Sequence, residues 1–81
     1  MTTYAVHDRD RDERITVRAT TQEEAALAAY RQLHRTSAQA LWAHRETGVP
    51  GGSGVFAIYR STRHGSTRVT ERGLHVAETE G

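Results

Sequence analysis

The chain has no cysteine, no lysine, no asparagine and a single proline, and its Val, Ile and Leu residues together number only 12 of 81. Without cysteine there is no disulfide framework and no thiolate metal site to compensate for a small core. The shortage of bulk is sharper than the 36% apolar fraction suggests, because 11 of those residues are alanine and only five are aromatic. A domain of this size buries a modest share of its surface, and its net stability is thin. Self-association or a partner surface is the expected additional support. No apolar run approaches membrane-spanning length, and the start Met-Thr-Thr-Tyr lacks the charged and apolar regions of a signal peptide. The cytoplasm is therefore the expected location.

The basic residues are 11 arginines, a composition that GC-rich coding produces. Arginine still matters physically, since its flat guanidinium makes bidentate and stacking contacts that lysine cannot. A net charge of +1 is too small to mark a nucleic-acid binder, but the charge is unevenly placed. Residues 1–24 carry −2, residues 25–75 carry +5 and residues 76–81 carry −2. A basic body is flanked by acidic ends.

Thr3–His7 alternates, with Tyr4 and Val6 on one face and Ala5 and His7 on the other. Asp8–Glu13 is a run of alternating charge expected to form an exposed hairpin loop. Arg14–Ala19 alternates again, with Ile15, Val17 and Ala19 inward, so the two segments predict an antiparallel hairpin. Thr21-Gln22-Glu23-Glu24 is a helix start: Thr21 can cap, Glu24 can reach back, and two acids sit at the positive end of the dipole. The Ala-rich sequence that follows predicts a helix over 22–46, stopped by Gly48 and Pro50. If continuous it would be about 37 Å long. A domain of this size is only about 30 Å across. The helix should then overhang the domain, or bend near Thr36-Ser37. Gly48–Gly54 reads as a flexible connector. Val55–Tyr59 is apolar on both faces, so something should cover each, and the chain offers one helix for one of them. His64-Gly65 marks a turn, Arg68–Arg72 returns as a strand, and a bulge at Gly73 would bring Leu74 and Val76 inward.

The pattern predicts an α+β fold of order β-β-α-β-β. Its antiparallel sheet has one face packed on a single long, continuous or bent helix, within one domain over 1–81 whose residues 76–81 fray.

Most familiar chemistry fails on spacing. Asp8, Asp10 and Asp12 resemble the opening of a calcium loop, but Glu13 and Ala19 stand where glycine and the bidentate glutamate are needed. His7, His34, His44, His64 and His75 include no i, i+4 pair and have no cysteine partners, so no metal site is expected. Gly51-Gly52-Ser53-Gly54 is neither a nucleophile elbow nor a phosphate loop. No catalytic constellation is legible, and neither an enzyme nor a cofactor is expected.

Two constellations remain. Stepping 100° per residue along the predicted helix aligns Ala26, Ala29, Tyr30, Leu33, Ala40 and Leu41. Trp42 then points roughly 140° away, on a face with Arg31, Arg35 and Arg45. Trp and Arg are the side chains most enriched in interface hot spots. With the two-sided strand, the expected partner-binding residues are Trp42, Arg31, Arg35, Arg45, Val55, Ala57 and Tyr59. A break at Thr36-Ser37 would instead reset the phase and let Trp42 join the core. The second constellation is an Arg/Thr sheet face from Arg14, Thr16 and Arg18 with Arg68, Thr70 and Arg72, should those strands neighbour.

The junction Ile15–Ala29 resembles the strand-to-helix turn of many small phage and plasmid proteins. It spans under a fifth of the chain, and capping chemistry alone accounts for it. The expectation is a small non-enzymatic interaction protein of regulatory, inhibitor or immunity type, phage or mobile-element derived. It would dock on another protein or on itself as a homodimer, with no small-molecule substrate and no membrane. The alternative is nucleic-acid binding through Arg14, Arg18, Arg60, Arg63, Arg68 and Arg72.

Overall fold

The computed structural model describes residues 1–79. The elements are β1 (Thr2–Asp8), β2 (Glu13–Ala19), α1 (Gln22–His34), β3 (Leu41–Gly48), β4 (Gly54–Thr62), β5 (Gly65–Arg68) and β6 (Leu74–Glu78). The strands form one antiparallel sheet in the order β2-β1-β6-β4-β3, with β5 on the far half of β4. The α+β class and the antiparallel sheet backed by one helix are as expected. The element order gains two strands, becoming β-β-α-β-β-β-β.

The first half of the chain follows its local signals. In the β1–β2 hairpin Val6 pairs with Ile15 and Tyr4 with Val17, so their side chains share the helix-facing side. The Thr21 hydroxyl accepts from the Glu24 N–H at 3.1 Å, and the Glu24 carboxylate reaches back to the Thr20 N–H at 3.1 Å, completing a reciprocal cap. Ala25, Ala26, Ala29 and Tyr30 are buried against the sheet. Phe56, Ile58, Leu74, Val6 and Val76 are fully buried beneath the helix, each contributing about 1.5–3 kcal/mol. Alanine on the helix lets it approach the sheet closely, which suits a chain short of large aliphatics.

The expected helix over 22–46 is corrected: it stops at His34. Arg35 turns left-handed at φ 51°, and the Thr36 N–H closes the end on the Arg31 carbonyl at 3.0 Å. This is a Schellman-type closure made without glycine. His34, in the last turn, stacks on Tyr30 at 4.1 Å and contacts the Asp8 carboxylate at 2.8 Å. Leu41–Gly48 is consequently a strand, placing Leu41 and Ala43 toward the helix and Trp42 and His44 on the opposite face.

The charged loop expected between β1 and β2 is only partly solvated. Asp8 is 0% exposed and accepts from the Asp10 and Arg11 N–H groups as well as contacting His34. Asp10 accepts from the backbone N–H groups of Glu71, Arg72 and Gly73, tying the β1–β2 loop to the segment before β6. These carboxylates serve the fold.

The expected strand Arg68–Arg72 is also corrected. Pairing with β4 stops at Arg68 and resumes at Leu74, opposite Phe56. In the gap, the buried Thr70 hydroxyl accepts from the Ile58 N–H at 3.1 Å, replacing the missing ladder partner. Gly73, at φ 91°, is the joint, and a Cβ there would lie 2.5 Å from the Phe56 carbonyl oxygen. Residues 76–79, expected to fray, instead continue β6 along β1 through Glu78, and the Thr79 N–H donates to the Thr3 carbonyl. Residues 80 and 81 lie outside the described residues.

Candidate functional site

The helix covers one face of the sheet, and no described element covers the other. Strand alternation decides which side chains stand on this open face. They are Arg14, Thr16 and Arg18 from β2, Ala5 and His7 from β1, His75 and Ala77 from β6, Val55, Ala57 and Tyr59 from β4, and Trp42 and His44 from β3. The open face is a mixture of small, aromatic and cationic groups.

Its first feature is an aromatic ridge. Trp42 and Tyr59 are direct cross-strand partners and stack with centroids 4.7 Å apart and planes at 15°. The His44 ring stands edge-on to both at 6.2 Å. Such a pair contributes about 0.5–1.5 kcal/mol beyond its buried area, yet Trp42 remains 37% exposed. Beside it Arg68, from β5, reaches across β4 to pair bidentately with Glu46 on β3. That hydrogen-bonded pairing holds the Glu46 carboxyl below its ordinary pKa and pushes the Arg68 guanidinium up. Ala57, on the strand between them, is 0% exposed.

The second feature is an open hollow of about 700 Å³ toward the other end of the same face, with Ala5, Thr16, Ala77, His7, His75 and Arg14 in its lining. His7 and His75 are direct partners across β1 and β6. The His7 ring is held by Asp12 at 2.7 Å, and Arg14 contacts the same carboxylate at 3.4 Å. The His7 hydrogen bond and then the Arg14 charge keep the Asp12 carboxyl below its ordinary pKa. The chemistry on offer is stacking area, guanidinium and imidazole donors, and a floor of small side chains. No cluster of three or more potential metal ligands occurs among the described residues.

The expected partner-binding set divides. Trp42, Val55, Ala57 and Tyr59 come together on the open face. Arg31 and Arg35 belong to the helix and its cap, on the other side of the sheet. Arg45 also turns to the helix side. Its guanidinium lies 4.7 Å over the Phe56 ring and bonds the Gln22 side chain. Trp42 is thus solvent-facing without being on a helix, and the expected Trp–Arg helix face does not exist.

The second expected constellation is not assembled either. Arg14 and Arg18 sit on the β2 edge, whereas Arg68 is on β5, which pairs only with the far half of β4 and does not neighbour β2, and Thr70 is buried. Arg60 shares the helix side with Leu41, Arg63 lies in the β4–β5 turn and Arg72 in the loop before β6. The residues that sequence reasoning missed as site members are Ala5, His7, His44, His75 and Ala77. Their alternation with buried neighbours was visible in β1, but nothing local showed that no second layer would cover them.

Compared with protein-family models and with curated protein sequences, the chain matches none. No described helix is long and apolar enough to cross a membrane.

Proposed function

We propose that this chain is a non-enzymatic interaction protein that docks another polypeptide on the open face of its sheet. The observation that carries the reading is the gathering of Trp42, Tyr59, Val55, Ala5 and Ala77 on one uncovered face. A sheet needs a layer on each apolar face, and the described residues supply one layer. Exposed aromatic surface rimmed by arginine is the composition of an interface core with its rim. Inhibition, immunity and regulation all work by occupying a partner's surface and need no more than such a face. The scattering of Arg60, Arg63, Arg68 and Arg72 disfavours nucleic acid, because a phosphate track needs its cations on one surface.

The test is site-specific photocrosslinking in lysate of the expressing cells, with the photoreactive side chain at position 42 or, as control, at position 35. A discrete polypeptide adduct is expected at 42 and not at 35. It should be lost when Ala77→Arg is added in a chain whose circular dichroism is unchanged. Equal labelling at both positions, or a nucleic-acid adduct at 42, refutes the reading.

A further inference from the structure

The ridge and the hollow lie on the same face, at opposite corners. From β1 to the β3–β4 boundary is two and a half strand spacings, about 12 Å, and from the Tyr59 row to the His75–Ala77 rows is about 16 Å along the strands. The two features are therefore about 20 Å apart. A two-fold axis lying in the interface, at right angles to the line joining them, exchanges ridge for hollow. Two sheets so related cross steeply, as in orthogonal sheet packing.

We propose that the occupant of the open face is a second copy of this chain, with Trp42 of each copy seated in the hollow of the other. This assignment rests on reading the open face as a docking face. Its chemistry is self-complementary in the sense that an isologous contact demands. The ridge is aromatic and carries no unbalanced charge beside it, since Arg68 and Glu46 neutralise each other. The hollow has a floor of Ala5, Ala77 and Thr16, small enough to admit an indole, and walls of Arg14, His7 and His75. A guanidinium or an imidazole ring stacks on an indole face. An axis laid across the strands would instead set β2 on β2 and bring the Arg14 and Arg18 side chains of both copies together, which repulsion disfavours.

The area suffices. Five strands at sheet spacing and about seven residues of strand give a face of about 24 by 23 Å, or about 1,100 Å² for two copies, just above the ~1,000 Å² that a specific interface needs. A reversible dimer of modest affinity is expected at this size. It also supplies the missing layer for a chain with so few large aliphatics.

Sedimentation equilibrium of the full chain should show a concentration-dependent rise from 9.0 kDa to twice that mass. Trp42→Ala removes the ridge and Ala77→Arg fills the hollow. Each should weaken self-association about thirty-fold or more, the size of a hot-spot loss, whereas Arg35→Ala should leave it unchanged. The decisive measurement mixes the two weakened variants. In the mixed pair the intact ridge of the Ala77→Arg chain meets the intact hollow of the Trp42→Ala chain. The mixed pair should therefore associate at least about ten-fold more tightly than either variant with itself. Trp42 is the only tryptophan in the sequence, so the Trp42→Ala chain has no tryptophan emission, and with excitation at the red edge of the indole band the tryptophan emission of the other chain reports the mixed pair directly.

A mass of 9.0 kDa at every concentration overturns the proposal. So does a dimer that ignores both substitutions, or a mixed pair no tighter than its components. A monomer that still gives a discrete adduct with a different polypeptide from position 42 overturns the second copy alone and leaves the docking reading standing. A monomer with no adduct at 42 removes both.

Discussion

Asp10→Ala should cut the tie between the β1–β2 loop and the segment before β6. The Asp10 carboxylate accepts from the N–H groups of Glu71, at 2.8 Å, of Arg72, and of Gly73, at 3.3 Å, residues more than sixty positions away in the chain. Hydrogen bonds to a charged group contribute about 1.5–3 kcal/mol when well buried. This carboxylate stands largely in water, so screening reduces the whole set to about 1–2 kcal/mol. For a domain of this length that corresponds to a fall in Tm of about 5–15 °C. The pH dependence gives a second readout. Partial burial raises the Asp10 carboxyl pKa, but the three backbone N–H groups and the Arg68 charge outweigh it and hold the group below its ordinary 3.8. A carboxyl whose pKa is depressed by folding contributes stability fully above its unfolded value, and loses that contribution as pH falls through the folded one. The stability gap between the native chain and Asp10→Asn should therefore be widest near neutrality and close as pH drops below about 4. Urea melts at pH 7 and at successively lower pH check this. Equal midpoints at pH 7, or a gap that persists in acid, would refute the reasoning.

Thr70→Val should cost about 1–3 kcal/mol, because it leaves the buried Ile58 N–H without an acceptor. Thr70→Ser keeps the hydroxyl and should lose only about 1 kcal/mol, the value of one buried methyl. The difference between the two urea midpoints isolates the hydrogen bond. Gly73→Ala should cost about 2–4 kcal/mol, since it combines a left-handed backbone with a Cβ driven into the Phe56 carbonyl. Gly51→Ala shares the positive φ, but nothing lies within 4 Å of its Cβ, so it should lower the melting temperature clearly less.

The first hairpin and the start of the helix were legible because their determinants are local. Tyr4, Val6, Val17 and Ala19 alternate with outward-facing neighbours, and Thr21 with Glu24 makes its cap from side chains three residues apart. The end of the helix was not legible. Between Gln22 and Thr47 there is no glycine or proline, and Ala40 and Leu41 fit a helical stripe as readily as Leu41 and Ala43 fit an alternating strand. What ends the helix at His34 is the buried Asp8 carboxylate, 26 positions away, together with the pairing of Leu41–Gly48 along β4. The same pairing moved Trp42 from an imagined arginine-lined helix face to a stack on Tyr59. The last strand was misread for a related reason. Thr70 looked like one more outward β-residue, and its task of supplying an acceptor to Ile58 exists only once β4 lies beside it.

Composition and alternation alone determined the α+β class, the hairpin, the helix start and the two-sided apolar character of Val55–Tyr59. From that last feature the sequence also implied that one sheet face would lack a cover from its own chain. Tertiary structure alone decided which residues share that face. Strand order sets neighbours across the sheet, and it brings β6 between β1 and β4 although almost the whole chain separates β6 from β1. Ridge and hollow are each made from strands distant in sequence, so no local pattern could place Trp42 beside Tyr59 or His7 beside His75. Only the hydrogen-bonded ladder does.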